Sequence, residues 1–85
     1  MPRYAFRTAL ENQSKIDKIR VGQTLAEVQK IMGKEPERRN MHVRYDGISI
    51  EEWSYLTDYI RKLDATITFV GGKVVEINTA KWGDD

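Results

Sequence analysis

Two hydrophobic periods divide the chain. Between Thr24 and Met32, the apolar residues Leu25, Val28, Ile31 and Met32 recur at helical spacing and form one face. Thr24-Leu25-Ala26-Glu27 fits a capping box, with Thr24 as N-cap and Glu27 at the third helical position. Gly33 supplies a left-handed stop, and Pro36 prevents the helix from resuming. A first, shorter helix is predicted over Asn12–Arg20, where Ile16 and Ile19 share a face and Gly22 ends the run. Residues 1–11 show no clean period and read as a flexible N-terminal segment. Its Tyr4, Phe6 and Leu10 either pack on the domain or fray with it.

After Pro36 the period becomes two. Arg39, Met41, Val43 and Tyr45 alternate with Arg38, Asn40, His42 and Arg44, which predicts a half-buried strand with a basic outer face. Asp46-Gly47 is a turn signal. A second strand follows over Ile50–Thr57, rich in aromatic and β-branched residues, with Trp53, Tyr55 and Thr57 on one side. Residues 58–64 are either a loop or the end of that strand. Ala65–Val70 and Lys73–Thr79 are two more strands, joined by Gly71-Gly72, with Ile67 and Phe69 matched by Val75 and Ile77. Trp82 closes the expected domain, residues 12–82, and 83–85 form a flexible tail. Tight connections make the sheet antiparallel. Helices segregated at one end of the chain must cover one sheet face. The expected fold is therefore α+β: two N-terminal helices packed on one face of a three- or four-stranded antiparallel sheet.

Composition narrows the function classes. The 85 residues are 40% hydrophobic and 32% charged, which suits one globular domain. There is no cysteine, hence no disulfide framework, no thiolate zinc site and no cysteine nucleophile. The longest apolar runs fall far short of the ~20 residues that cross a bilayer. The net charge of +1 hides an uneven distribution. Residues 1–45 hold ten Lys/Arg and five Asp/Glu, whereas residues 46–85 hold four and eight. One reading is two solvated faces of opposite sign. The other is a basic patch for an acidic partner or for anionic lipid headgroups.

The candidate chemistry is sparse. His42 is the only histidine, and an alternating strand points it to solvent without an orienting carboxylate. Glu51 and Glu52 fall on opposite faces of a strand and cannot share a metal. Gly71-Gly72-Lys73 and Gly33-Lys34 lack the spacing of a phosphate loop and read as turns. No nucleophile–base pair or metal set appears, so no enzyme and no cofactor is expected. The best anion-binding cluster is Arg38, Arg39 and Arg44, with Lys34 near. Trp53 and Tyr55 read first as core or half-core, and also as aromatic anchors of an interface. Interleaved Tyr45 and His42 suit stacking on nucleic-acid bases, but the overall balance of charge is weak for that role.

The run Ile19-Arg20-Val21-Gly22-Gln23-Thr24, then Glu27-Val28, then Met32-Gly33-Lys34-Glu35-Pro36, resembles the SmpA/OmlA family of small bacterial envelope lipoproteins, the BamE-like proteins. Trp53-Ser54-Tyr55 and Phe69-Val70-Gly71-Gly72-Lys73-Val74-Val75 continue the resemblance, which covers about residues 16–77. It implies an α-α-β-β-β sandwich, similar also to the repeat unit of the β-lactamase inhibitor protein. It implies structural roles for the matching glycines, threonine and proline, and no catalytic residues. The function it implies is support of outer-membrane assembly or envelope integrity through binding of protein and lipid. The family carries a signal peptide and a lipidated cysteine, and this chain shows neither. The expected location is the outer membrane or periplasm if a leader has been removed, and otherwise the cytoplasm. The expected activity is non-enzymatic binding of a protein partner through the sheet face or edge, with Arg38, Arg39, Arg44, Trp53 and Tyr55 as contacts. Unpaired sheet edges also permit a homodimer by strand pairing. The alternative is a small cytoplasmic regulator that binds nucleic acid or an acidic partner through its basic first half.

Overall fold

The structure, a computed structural model, describes residues 3–81, with side chains from Arg7 onward. Expectations for Tyr4, Phe6 and Trp82, and for the 83–85 tail, concern side chains or residues outside that range. Helix α1 spans Arg3–Ile16 and α2 spans Leu25–Met32. Strands β1 (Arg38–Val43), β2 (Ser49–Asp58), β3 (Leu63–Val70) and β4 (Lys73–Lys81) follow. They form one antiparallel sheet in the order β1-β2-β3-β4. The α+β arrangement agrees with the periodicity, and the sheet has four strands.

Helix α2 forms as its sequence dictates. The Thr24 hydroxyl accepts from the Glu27 amide at 3.2 Å, and Glu27 Oε1 accepts from the Thr24 amide at 2.8 Å. Gly33 closes the helix at φ 72°, and its N–H donates to the Gln29 carbonyl. The left-handed backbone there favours glycine because it lacks a Cβ. Val28 and Met32 go fully into the core.

Helix α1 departs from expectation. It begins at Arg3 rather than Asn12, so the segment expected to be flexible is largely helical, and it stops at Ile16 rather than Arg20. Its inward stripe is Ala9, Asn12 and Ile16, at helical spacing. A small residue and an amide in that stripe hide it from a search for apolar period. Ile19 still reaches the core at 2% exposure, but from the turn after the helix. Asn12 is buried for a specific reason. Its Nδ2 donates to the Leu56 carbonyl at 2.8 Å, on β2. The Leu56 N–H is in turn accepted by Glu37 Oε1 at 2.7 Å. Together these two side chains cap the end of β2 that runs beyond the start of β1.

One sheet face carries the core. Trp53, Tyr55 and Thr57 of β2 point to the helices, with Ala65, Ile67 and Phe69 of β3 beside them. Ile19, Val28, Met32 and Val74 complete the cluster. The Trp53 and Phe69 rings meet at 4.7 Å between centroids, tilted by 56°, a favourable aromatic geometry. Val75 departs from its expected inward place. A register shift in the β3–β4 pairing sets Val74 against Phe69, and Val75 is left 48% exposed. The Gly71-Gly72 hairpin, at φ 60° and 86°, has the handedness that suits two-residue β-turns.

Removal of the α2 cap gives the first test. Thr24→Ala is expected to lower unfolding stability by about 1 kcal/mol. Urea denaturation should show a lower midpoint with an unchanged slope. An unchanged midpoint would mean that the cap contributes nothing.

Candidate functional site

Strand β1 is where the sheet outgrows its helical cover. Every one of its six residues is exposed, so the expected half-buried strand is instead an edge strand open on both faces. The reason lies in what stands opposite. The positions that alternation aims at the helices, Met41 and Val43, meet no helix and remain 60% and 61% exposed. Tyr45, in the following turn, is fully exposed.

The direction of the β1 backbone follows from its register. The Arg44 N–H donates to the Ile48 carbonyl at 2.9 Å, continuing the β1–β2 pairing of His42 with Ile50 and Asn40 with Glu52. Antiparallel residues alternate between facing the partner strand and facing away. Asn40 and His42 therefore direct their N–H and C=O groups to β2. Arg39, Met41 and Val43 direct theirs outward, where no partner meets them among the described residues. Elsewhere the sheet margins are covered in part, and the outer edge of β4 beyond Val74 meets no partner among the described residues. Asn12 and Glu37 cap β2 at Leu56. At β4, the Val74 N–H donates to the Gln23 carbonyl, and the Gly22 N–H to the Val74 carbonyl, each at 2.8 Å. Leu25 N–H adds a bond to the Gly72 carbonyl.

The three arginines are brought near this edge but do not form a free basic patch. Arg38 and Arg39 lie on opposite faces of the sheet. Arg38 Nη2 reaches across β2 to Asp64 Oδ2 at 2.6 Å. Asp64 is buried, and that burial pushes its carboxyl above the ordinary value, against the opposing pull of Arg38. Arg39 pairs with Glu35 at 2.9 Å and Glu51 at 3.5 Å. Arg44 pairs with Asp46 at 2.8 Å, and this hydrogen bond, with one from the Ile48 amide, holds the Asp46 carboxyl below its usual range. Asp46, Glu51 and Asp64 all come from the acidic second half. These three arginines thus close into cross-strand and turn pairs with that half.

Trp53 and Tyr55 are not surface contacts. They are 3% and 0% exposed, because the β2 face that carries them is the face under the helices. Trp53 Nε1 donates to Glu51 Oε2 at 2.7 Å, and the Arg39 guanidinium lies 4.9 Å above its ring. Arg39 is consequently a lid on the core edge. An Arg38/Arg39→Glu exchange would set carboxylates beside Asp64, Glu35 and Glu51, so it tests folding before it tests binding. Tyr55 donates its hydroxyl to the Lys34 carbonyl at 3.1 Å.

His42 is exposed on the open sheet face, as alternation predicted. That face also carries a shallow polar trough lined by Arg38, Asn40, Glu52, Ser54 and Thr66. Among the described residues no group of three or more metal-ligating side chains comes together, and no helix is long and apolar enough to cross a membrane. Comparison with known proteins finds no matching family model, curated protein or solved structure. The exposed Met41, Val43 and Tyr45 were missing from the sequence-based contact set. Alternation placed Met41 and Val43 inward, and only the extent of the helical layer shows otherwise.

Burial gives a titration test. Desolvation first, then the nearby Glu35 and Glu37, push the Tyr55 hydroxyl up to about 12 from 10.0. The fold holds that proton more tightly than the unfolded chain does. Its stabilising effect is complete below pH 10.0 and is lost as pH rises through about 12. Tyr55→Phe should cost about 1 kcal/mol at neutral pH and reduce the loss of stability on the alkaline side. Denaturation at neutral and alkaline pH measures both effects. An unchanged alkaline slope would contradict the assignment.

Proposed function

We propose that this protein is a non-enzymatic interaction module that binds a protein partner as an added strand on β1. The observation that carries the reading is the outward backbone of Arg39, Met41 and Val43, flanked by the exposed apolar side chains of Met41 and Val43. An open edge with apolar flanks is a template for a further strand. Main-chain hydrogen bonds supply affinity in such pairing, and side chains at alternate positions supply selectivity. The contact residues on this reading are Met41, Val43 and Tyr45. Arg38, Arg39 and Arg44 frame them as already paired cations.

The biological setting we propose is that of the SmpA/OmlA, or BamE-like, envelope lipoproteins. Helix–helix–sheet order, the Thr24 cap, the Gly33 stop and the Trp53-Ser54-Tyr55 strand support that likeness and the related likeness to the β-lactamase inhibitor repeat. In this setting the module works at the outer membrane or in the periplasm. Anionic lipid headgroups and nucleic acid are weaker partners on electrostatic grounds. Their phosphates need free cations, and the three arginines nearest the edge are engaged by carboxylates.

Photo-reactive residues placed at Met41 and Val43 in cells should crosslink to a polypeptide, and one at Lys18 should not. Met41→Pro should abolish the crosslink formed at Val43, because proline removes an outward N–H while sparing the β1–β2 bonds. Equal crosslinking at Lys18, or none at the edge, would defeat the reading. Fractionation of cells that express the native gene tests the setting. Recovery with outer membranes, released only by detergent, is expected. Recovery in the soluble cytoplasm would remove the envelope role and leave the edge reading to stand alone.

A further inference from the structure

The identity of the added strand can be argued from the edge itself. We propose that it is β1 of a second copy of this chain, paired antiparallel about a two-fold axis at His42. This rests on the reading of β1 as a pairing edge.

Hydrogen-bond geometry limits the choices. The outward groups belong to Arg39, Met41 and Val43, so a partner β1 must set its own odd-numbered residues opposite them. Only registers centred on one residue or another satisfy this, and they leave both helical layers on the same side of one continuous sheet. Charge then selects among them. A register centred on Met41 sets Arg38 opposite Arg44 of the second copy, twice, and like charges directly opposite are destabilising. It also runs the partner strand towards the loop where Lys34 and Glu37 form their ion pair. A register centred on His42 removes both problems. Arg38 then clears Arg44 of the second copy, and the uncharged Asn40 faces Arg44 in its place. On the helix side Met41 faces Val43, covering the apolar pair that β1 leaves exposed. Arg39 then lies beside the turn of the second copy, which carries the exposed Tyr45. Each contact occurs twice by symmetry.

The partly occupied β4 edge favours a closed pair over a chain of copies. A head-to-tail filament would need the β4 edge as its second surface. Gly22, Gln23 and Leu25 already occupy the start of that edge. The two-fold interface uses the same patch on both copies and therefore closes.

The absence of cysteine makes the register directly readable. In the proposed dimer the two His42 residues form a non-hydrogen-bonded pair, with Cα atoms ~4.5 Å apart. That separation lies within the range a disulfide spans. His42→Cys in the full chain should form a covalent dimer under mild oxidation. Met41→Cys should not, because its copies lie beyond the ~7 Å limit. Sedimentation of the unmodified chain should show a concentration-dependent shift to twice the chain mass. Met41→Lys, at an exposed position, should weaken that association at least tenfold while the circular dichroism spectrum stays unchanged. Crosslinking of Met41→Cys in place of His42→Cys would overturn the register. A monomer up to millimolar concentration would overturn the second copy as partner. In that case a cellular crosslink from Met41 to a different polypeptide would still leave β1 as the docking edge, whereas no crosslink at all would remove both.

Discussion

The packing around Trp53 is the constraint on which the rest of the structure depends. Its ring lies against Phe69 on the core side and under the Arg39 guanidinium on the other. Its indole N–H is held by Glu51, which also pairs with Arg39. This arrangement closes the core at the point where the helical layer ends. Beyond it β1 continues the sheet without cover. Without that seal, an exposed strand adjoining the core would open Trp53 to water. With it, β1 can be wet on both faces while β2 stays dry on one.

Backbone polar groups explain the remaining architecture. The end of β2 beyond β1 has a free N–H and C=O at Leu56, and the chain supplies Glu37 and Asn12 to meet them. The start of β4 is met by the segment between the helices. A buried or half-buried backbone group without a partner is costly, so these caps are structural requirements. The outer edge of β1 is exposed, and water can satisfy it. It can remain open in the monomer and exchange water for another strand on binding.

Much of the fold was legible in the sequence. Thr24, Glu27 and Gly33 mark α2 because capping chemistry is local. The four strands follow from alternation and from the Asp46-Gly47 and Gly71-Gly72 turns. Helix α1 was obscured because its buried stripe contains Ala9 and Asn12, and the role of Asn12 depends on Leu56, far away in sequence. The site was less legible for the same reason. Alternation fixes which residues share a face, and the reach of the helices decides which of those are buried. Trp53 and Tyr55 lie under the helices, whereas Met41 and Val43 on the same face lie beyond them. The arginine cluster was visible as charge, but its neutralisation needs the strand register that brings Asp64 and Glu51 to Arg38 and Arg39.

The central claim is that β1 presents an ordered, unoccupied backbone edge that a further strand can take. Residue-resolved amide hydrogen exchange, followed from dilute to concentrated protein, tests it most directly. The account predicts alternation in dilute solution. Asn40, His42 and Arg44 are protected by β2, while Arg39, Met41 and Val43 exchange freely and gain protection as concentration rises. Protection of Arg39, Met41 and Val43 in the dilute monomer would contradict the open edge, and free exchange at Asn40 and His42 would contradict β1 itself.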